Sequence, residues 1–286
     1  MINLALSILF SSLIFIVFKL FYTYKIQTLY AIIANYFVAC LVGLFFYKDP
    51  VIVSEIPYKP WFIGAFFLGF LFIVVFYVMA KTSQQLGVSV ASVATKMSLV
   101  IPVIGGIYLY NEHLTPLKTL GILLALFAVY FASIKKGKGV FKPKTLLLPF
   151  LVFIGSGTID ISLKYLKEAF VSEAEIPLFS SFTFLTAGIF GVIFILIKAK
   201  KQPIKVNFKN VVAGIFLGIP NFFSIYYLIK ALGESNFSNA SIFTINNVAI
   251  VLFTTIIGIL FFKEKLSSKN WIGISLAICS IILMAM

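Results

Sequence analysis

The chain has 286 residues, 61% of them hydrophobic and 11% charged, with a mean hydropathy of +1.09. Soluble domains run at about 45–50% apolar and about 25% charged, so a soluble enzyme, a disordered chain and a collagen-like rod are excluded and a polytopic membrane protein remains. The net charge of +14 comes from lysine alone, for the chain has no arginine; few residues lie outside apolar runs, so nucleic-acid binding is not expected.

A spanning helix takes about 20 apolar residues. Apolar runs bounded by charged or Pro/Gly-containing turns predict ten of them. The first, 2–22, has no lysine before it and Lys19 and Lys25 near or after its end, the reverse of a secretory signal, so it is a span. Next come 28–47, with Cys40, and 60–81, which closes at Lys81. The fourth, 86–110, carries Ser89, Ser92, Lys96 and Pro102; the fifth, 115–134, opens on Thr115-Pro116, an N-cap followed by proline at the first helical position. The sixth, 145–166, holds Asp160 and Lys164, and 176–197 follows. The eighth, 208–230, contains Pro220-Asn221; the ninth, 238–262, contains Ser241, Thr244, Asn246 and Asn247; the tenth is 267–286, with Cys279. Runs this long do not alternate as barrel strands must. Proline inside a helix removes a backbone hydrogen bond, so kinks are expected at Pro102 and Pro220.

Alternating the sides sorts the charges. One face collects Lys25, Lys81, the basic loops 135–144 and 198–209, Lys263, Lys265 and Lys269, against Glu264 alone. The other collects both termini, Lys48, Lys59, Lys118, Lys167 and Lys230, with Asp49, Glu55, Glu112, Glu168, Glu173, Glu175 and Glu234. Lysine marks the cytoplasmic side, so the lysine-rich face is expected inside a bacterial plasma membrane and both termini outside. Miscounting one helix would destroy this segregation.

An internal repeat runs through the chain. Residues 61–81 align without a gap on 210–230: Phe67-Leu68-Gly69 with Phe216-Leu217-Gly218, Tyr77 with Tyr226, Lys81 with Lys230. The register continues through Ala91-Ser92 with Ala240-Ser241 and Thr95 with Thr244. Three extra residues near Asn246 shift it, after which Glu112-His113-Leu114-Thr115 matches Glu264-Lys265-Leu266-Ser267, Gly121 matches Gly273 and Ala125 matches Ala277. The halves, 1–140 and 141–286, hold five helices each. Five is odd, so the second half enters from the opposite side. The expected fold is all-α, ten transmembrane helices in two five-helix inverted-topology repeats, an arrangement of many secondary transporters.

In these features the chain resembles the drug/metabolite transporter superfamily, and within it the ten-helix EamA-type members. The resemblance covers the whole chain and is carried by the doubled five-helix repeat and by Pro102, Glu112-His113-Leu114-Thr115 and Gly121 in one half against Glu264-Lys265-Leu266-Ser267 and Gly273 in the other. The second copy departs from it in having Thr254 where the first has Pro102. The resemblance implies a central cavity lined by helices 1, 3, 4, 6, 8 and 9, and small metabolites, often amino acids, frequently exported.

Few residues inside the spans carry polar chemistry. Lys96 lies about ten residues into its helix, about 15 Å deep at about 1.5 Å per residue. It reads either as a cation for a substrate carboxylate or phosphate, or as the partner of Asp160. Asp160 and Lys164, four residues apart on one helix face, read as a local ion pair, with Asp160 alternatively a proton-carrying coupling group. Ser92, Thr244, Asn246, Asn247 and Asn221 are candidate cavity-lining groups, or else interhelical hydrogen bonds. Tyr77 and Tyr226 read as gates or as interfacial anchors. Glu112, Glu264, Gly121 and Gly273 form the repeated structural motif. Lys19 and Lys81 are expected to snorkel. One histidine, His113, and two distant cysteines supply no metal site, and no P-loop appears, so no cofactor is expected. The expected partners are the bilayer and a small-molecule substrate, with a homodimer left open. A secondary transporter working by alternating access fits these features best; an intramembrane enzyme and a non-transporting receptor are the alternatives.

Overall fold

The computed structural model describes residues 2–110, 115–134, 143–199, 207–234 and 239–285, and among these it is helical with no strand. The helices are α1 (Ile2–Thr23), α2 (Thr28–Phe46), α3 (Phe62–Leu86), α4 (Val88–Met97), α5 (Val100–Tyr110), α6 (Pro116–Ala132), α7 (Pro143–Phe170), α8 (Ile176–Ala199), α9 (Phe208–Glu234), α10 (Asn239–Leu260) and α11 (Ser268–Ala285). Nine stretches of the described residues are long and apolar enough to cross a membrane, α4 and the start of α5 counting as one, and α6 is a shorter apolar helix of 17 residues. The chain is an all-helical polytopic membrane protein.

Its surface is inverted relative to a soluble protein. Phe45, Ile63, Phe216 and Leu260 are largely exposed while Ser7, Asn35, Ser83, Ser92 and Thr254 are buried. Such an apolar exterior is stable only in lipid, where each polar group must find its partner inside the protein.

Two departures from the sequence expectation have local causes. Helix α3 continues past Lys81 to Leu86. Its final polar turn looks like a loop in sequence, but α1 pairs it: Ser83 donates to the Phe15 carbonyl at 3.1 Å and Gln84 to the Phe18 carbonyl at 3.2 Å. The fourth span is broken, and the break stands at Ser98–Leu99 rather than at Pro102. Pro102 has no N–H for the carbonyl four residues back, and its ring crowds that carbonyl. The Ser98 carbonyl therefore accepts from Ile101 at 2.9 Å in a tighter turn, and α4 ends there. Pro220 lies inside α9, which is assigned as one helix through it.

The halves interlock by symmetric pairings. Helix α1 packs on α9 and α10, as α7 packs on α3, α4 and α5; α2 packs on α9 as α8 packs on α3. Self-matched pairs, α2 with α8, α4 with α10 and α6 with α11, close the arrangement. Glycines set the closest approaches. A Cβ on Gly121 of α6 would stand 2.7 Å from Met284 of α11, and one on Gly273 of α11 would strike the Ala132 backbone of α6. Gly69 of α3 meets Thr186 and Ala187 of α8 as its repeat partner Gly218 of α9 meets Asn35 and Val38 of α2. Small residues at helix crossings let backbones approach where lipid supplies no hydrophobic drive.

Candidate functional site

A cavity of about 640 Å³ lies between the halves. Its lining includes Thr95 and Lys96 of α4, Asp160, Lys164 and Lys167 of α7, and Asn246 and Asn247 of α10. Phe72, Phe179, Phe184 and Phe243 supply apolar wall. Lys167 and Ile176 lie where α7 ends and α8 begins, so the cavity extends from mid-span toward the face opposite the basic loops.

The break in the fourth span places its charge. Lys96 stands in the last turn of α4, beside carbonyls that a continuous helix would have consumed. Beside it, Asp160 of α7 accepts a 3.4 Å hydrogen bond from Ser98, the α4 C-cap, whose hydroxyl also donates to the Thr95 carbonyl at 2.6 Å. Lys96 and Asp160 attract each other through space, but their charged atoms lie beyond the 4.0 Å of an ion pair. The direct Lys96–Asp160 pair considered from sequence is therefore not formed. Both charges are left facing the cavity.

The Asn246 amide is held from α1. Ser7 of α1 donates to the Asn246 Oδ1 at 3.1 Å and to the Ser224 carbonyl at 3.0 Å. Asn246 is 2% exposed, so this bond helps to fix its orientation at the cavity wall.

The cavity gathers Lys96, Asp160, Lys164, Asn246 and Asn247 from the sequence candidates. It omits others. Ser92 is buried at the α4–α10 contact, where Thr254 donates to it at 2.7 Å. Asn221 donates to Asn35 of α2 at 3.2 Å, an interhelical hydrogen bond away from the lining. Thr244 is half-buried outside the lining. Tyr77 and Tyr226 are not at the cavity either: each lies under the lysine one turn on, Lys81 at 5.5 Å and Lys230 at 4.9 Å from the ring centre. These are cation–π pairs repeated across the halves. Gly121 and Gly273 are the α6–α11 crossing. Glu112 falls outside the described residues, and Glu264 sits at the lysine-rich face, bonded to α4 and 3.8 Å from Lys19, which turns inward instead of snorkelling.

Thr95, Lys167, Ser180 and Thr183 also line the cavity. The available signal for the last two was the polar cluster Ser180-Ser181-Thr183 in an otherwise apolar run; Lys167 sits one residue beyond the predicted end of its helix, because α7 runs on to Phe170.

Comparison with known proteins adds a family. The model of the EamA-like transporter family matches residues 1–134 and again 143–286. A protein of Haemophilus influenzae (strain ATCC 51907 / DSM 11121 / KW20 / Rd), described as uncharacterized, is 28% identical over 290 residues, spanning 98% of this chain and 96% of its own. A solved crystal structure of a protein superposes with a TM-score of 0.62 at 14% identity, covering 99% of this chain and 94% of that one, a likeness of fold alone.

Proposed function

Because the chain belongs to the EamA-like transporter family of the drug/metabolite transporter superfamily, we propose that it is a secondary transporter that exports a small polar metabolite, an amino acid or a related compound, by alternating access. One observation carries the reading. Lys96 and Asp160 face one mid-span cavity from different halves of the chain without pairing with each other. A zwitterion offers both counter-charges at once: its carboxylate to the Lys96 ammonium and its ammonium to the Asp160 carboxylate. Each ionic group is costly unpaired at this depth, so a ligand that pairs both offsets two penalties together. Asn246 orients the ligand's polar edge, and the phenylalanine wall accepts its apolar part.

In this reading the lysine-rich face is cytoplasmic and both termini lie outside a bacterial plasma membrane. The halves rock about the cavity, and Asp160 is also the candidate coupling group. The test is counterflow in proteoliposomes against amino acids, their analogues, organic acids and nucleosides, with and without a pH gradient. Saturable exchange of a zwitterion, lost in Asp160→Asn and Lys96→Met together, is the expected result. Exchange of a neutral or purely anionic compound in preference to every zwitterion would refute the pairing.

A further inference from the structure

One carboxylate at the lysine-rich face gathers parts of both halves. Helix α10 ends at Leu260, and Lys263 takes a left-handed conformation (φ 52°), which turns the chain back on the helix. The Glu264 N–H then bonds to the Gly258 carbonyl at 2.9 Å. This folds the Glu264 side chain toward the start of α4. There Oε1 accepts from the Val88 N–H at 2.8 Å and Oε2 accepts from the Ser89 hydroxyl at 2.8 Å. Both bonds lie at a helix N-terminus, where unpaired N–H groups and the helix dipole favour an anion.

Lys19 of α1 completes the arrangement. Its ammonium stands 3.8 Å from Oε1 and donates to the Ser83 and Gln84 carbonyls of α3 at 3.3 and 3.4 Å. The ends of α1 and α3 and the start of α4 are thereby tied to one side chain of the second half. Space for it is made by two glycines. A Cβ would stand 2.8 Å from Oε2 on Gly87, whose φ of +121° itself calls for glycine, and 2.6 Å from Oε2 on Gly258. One turn further along α4 lies the buried Ser92–Thr254 hydrogen bond, and one turn beyond that are Thr95 and Lys96 on the cavity. The cluster therefore lies two helical turns beyond the cavity, on the side of the basic loops.

We infer that Glu264 and Lys19 form a charged latch that keeps the cavity shut at the lysine-rich face and that must part in each transport cycle. The chemistry suits repeated opening. When α10 leaves α4, water hydrates the carboxylate, the ammonium and the freed N–H, so the polar groups of the cluster keep partners in the open state. Glu264 and Lys19 act on the substrate only through access and are positioning residues.

The inference rests on the transport reading for its consequence, but closure is read without any substrate. In a Cys40→Ala, Cys279→Ala background, Thr95→Cys places one thiol on the cavity wall. A membrane-impermeant charged methanethiosulfonate is applied to right-side-out and inverted vesicles, with the exposed Lys209→Cys in a separate variant marking the lysine-rich face. The parent is expected to label from the opposite face and to be protected from the lysine-rich one. Glu264→Ala, which loses two charge-assisted hydrogen bonds, should raise labelling from the lysine-rich face at least about tenfold, and Lys19→Ala, which loses the 3.8 Å ionic attraction, about two- to fivefold. Continued labelling from the opposite face shows that the variants are folded; if Glu264→Ala loses it, Lys19→Ala decides. Unchanged protection at the lysine-rich face in folded variants overturns the latch. A rise in Glu264→Ala alone keeps the carboxylate as the latch and overturns the role of Lys19. Failure of every compound in counterflow would refute the transport reading and leave this measurement standing.

Discussion

Replacing Lys96 by methionine removes the ammonium and keeps a chain of similar length in the last turn of α4. The magnitude follows from its surroundings. Asp160 lies beyond ion-pair distance and most of the nearby wall is apolar, so a substrate carboxylate reaching the ammonium meets little competition. Unit charges about 4 Å apart attract by about 4 kcal/mol at an effective dielectric constant of about 20. Desolvation takes part of this back, and hydrogen bonds to charged groups leave about 1.5–3 kcal/mol net. Lys96→Met should therefore weaken substrate affinity by about 10- to 150-fold at about 1.4 kcal/mol per decade. The assay is competition against a labelled substrate found by counterflow, at a concentration below half-saturation, with monodispersity in detergent as the control for folding. A folded variant whose affinity stays within about threefold of the parent, less than about 0.7 kcal/mol, would remove Lys96 from the substrate site.

Other substitutions test the scaffold. Gly273→Leu forces a side chain against the Ala132 backbone and should cost about 1–3 kcal/mol, seen as a lower midpoint of thermal unfolding in detergent; an unchanged midpoint would mean that α6 and α11 do not pack through these glycines. Asn221→Leu breaks the bond to Asn35 and should cost about 0.6–1.7 kcal/mol with substrate affinity unchanged; a large loss of affinity at full stability would return Asn221 to the cavity. Lys59 and Glu175 meet at 2.7 Å on the face opposite the basic loops, and this hydrogen bond raises the Lys59 pKa above the ordinary 10.5. A raised folded-state pKa stabilises below the unfolded value and loses that contribution as pH rises through the folded one. The thermal-stability difference between the parent and Lys59→Met should therefore persist from pH 7 to about 10 and shrink above that. A difference that grows with alkalinity would contradict the pair.

Hydropathy made the spans legible because lipid tolerates little polar surface, and the lysine-based face assignment follows the same one-dimensional logic. Local polarity was less informative. Thr82, Ser83 and Gln84 read as a loop, yet they end a helix because carbonyls of another helix accept from two of them. Pro102 signals a break but acts on the carbonyl four residues back, so α4 ends at Met97, before the proline. An asparagine inside a span is costly unpaired whether it faces a cavity or another helix. Asn246 and Asn221 therefore looked alike, although one lines the cavity and the other joins α2 to α9. Glu264 and Lys19 are far apart in sequence, and nothing in the one-dimensional pattern brings them together.

The paired tyrosine–lysine turns bear on how an inverted duplicate tolerates its own charges. A copied segment that crosses the membrane in the other direction delivers its lysines to the wrong side, against the bias that orients the chain. Most of the basic residues of the second half lie in loops that face the same way as those of the first. Lys230, the counterpart of Lys81, does not: it sits on the lysine-poor face, held over Tyr226 as Lys81 is held over Tyr77. A cation seated on an aromatic ring is satisfied locally and is indifferent to which aqueous phase lies beyond it. Such turns are the kind of charged element that survives being read upside down.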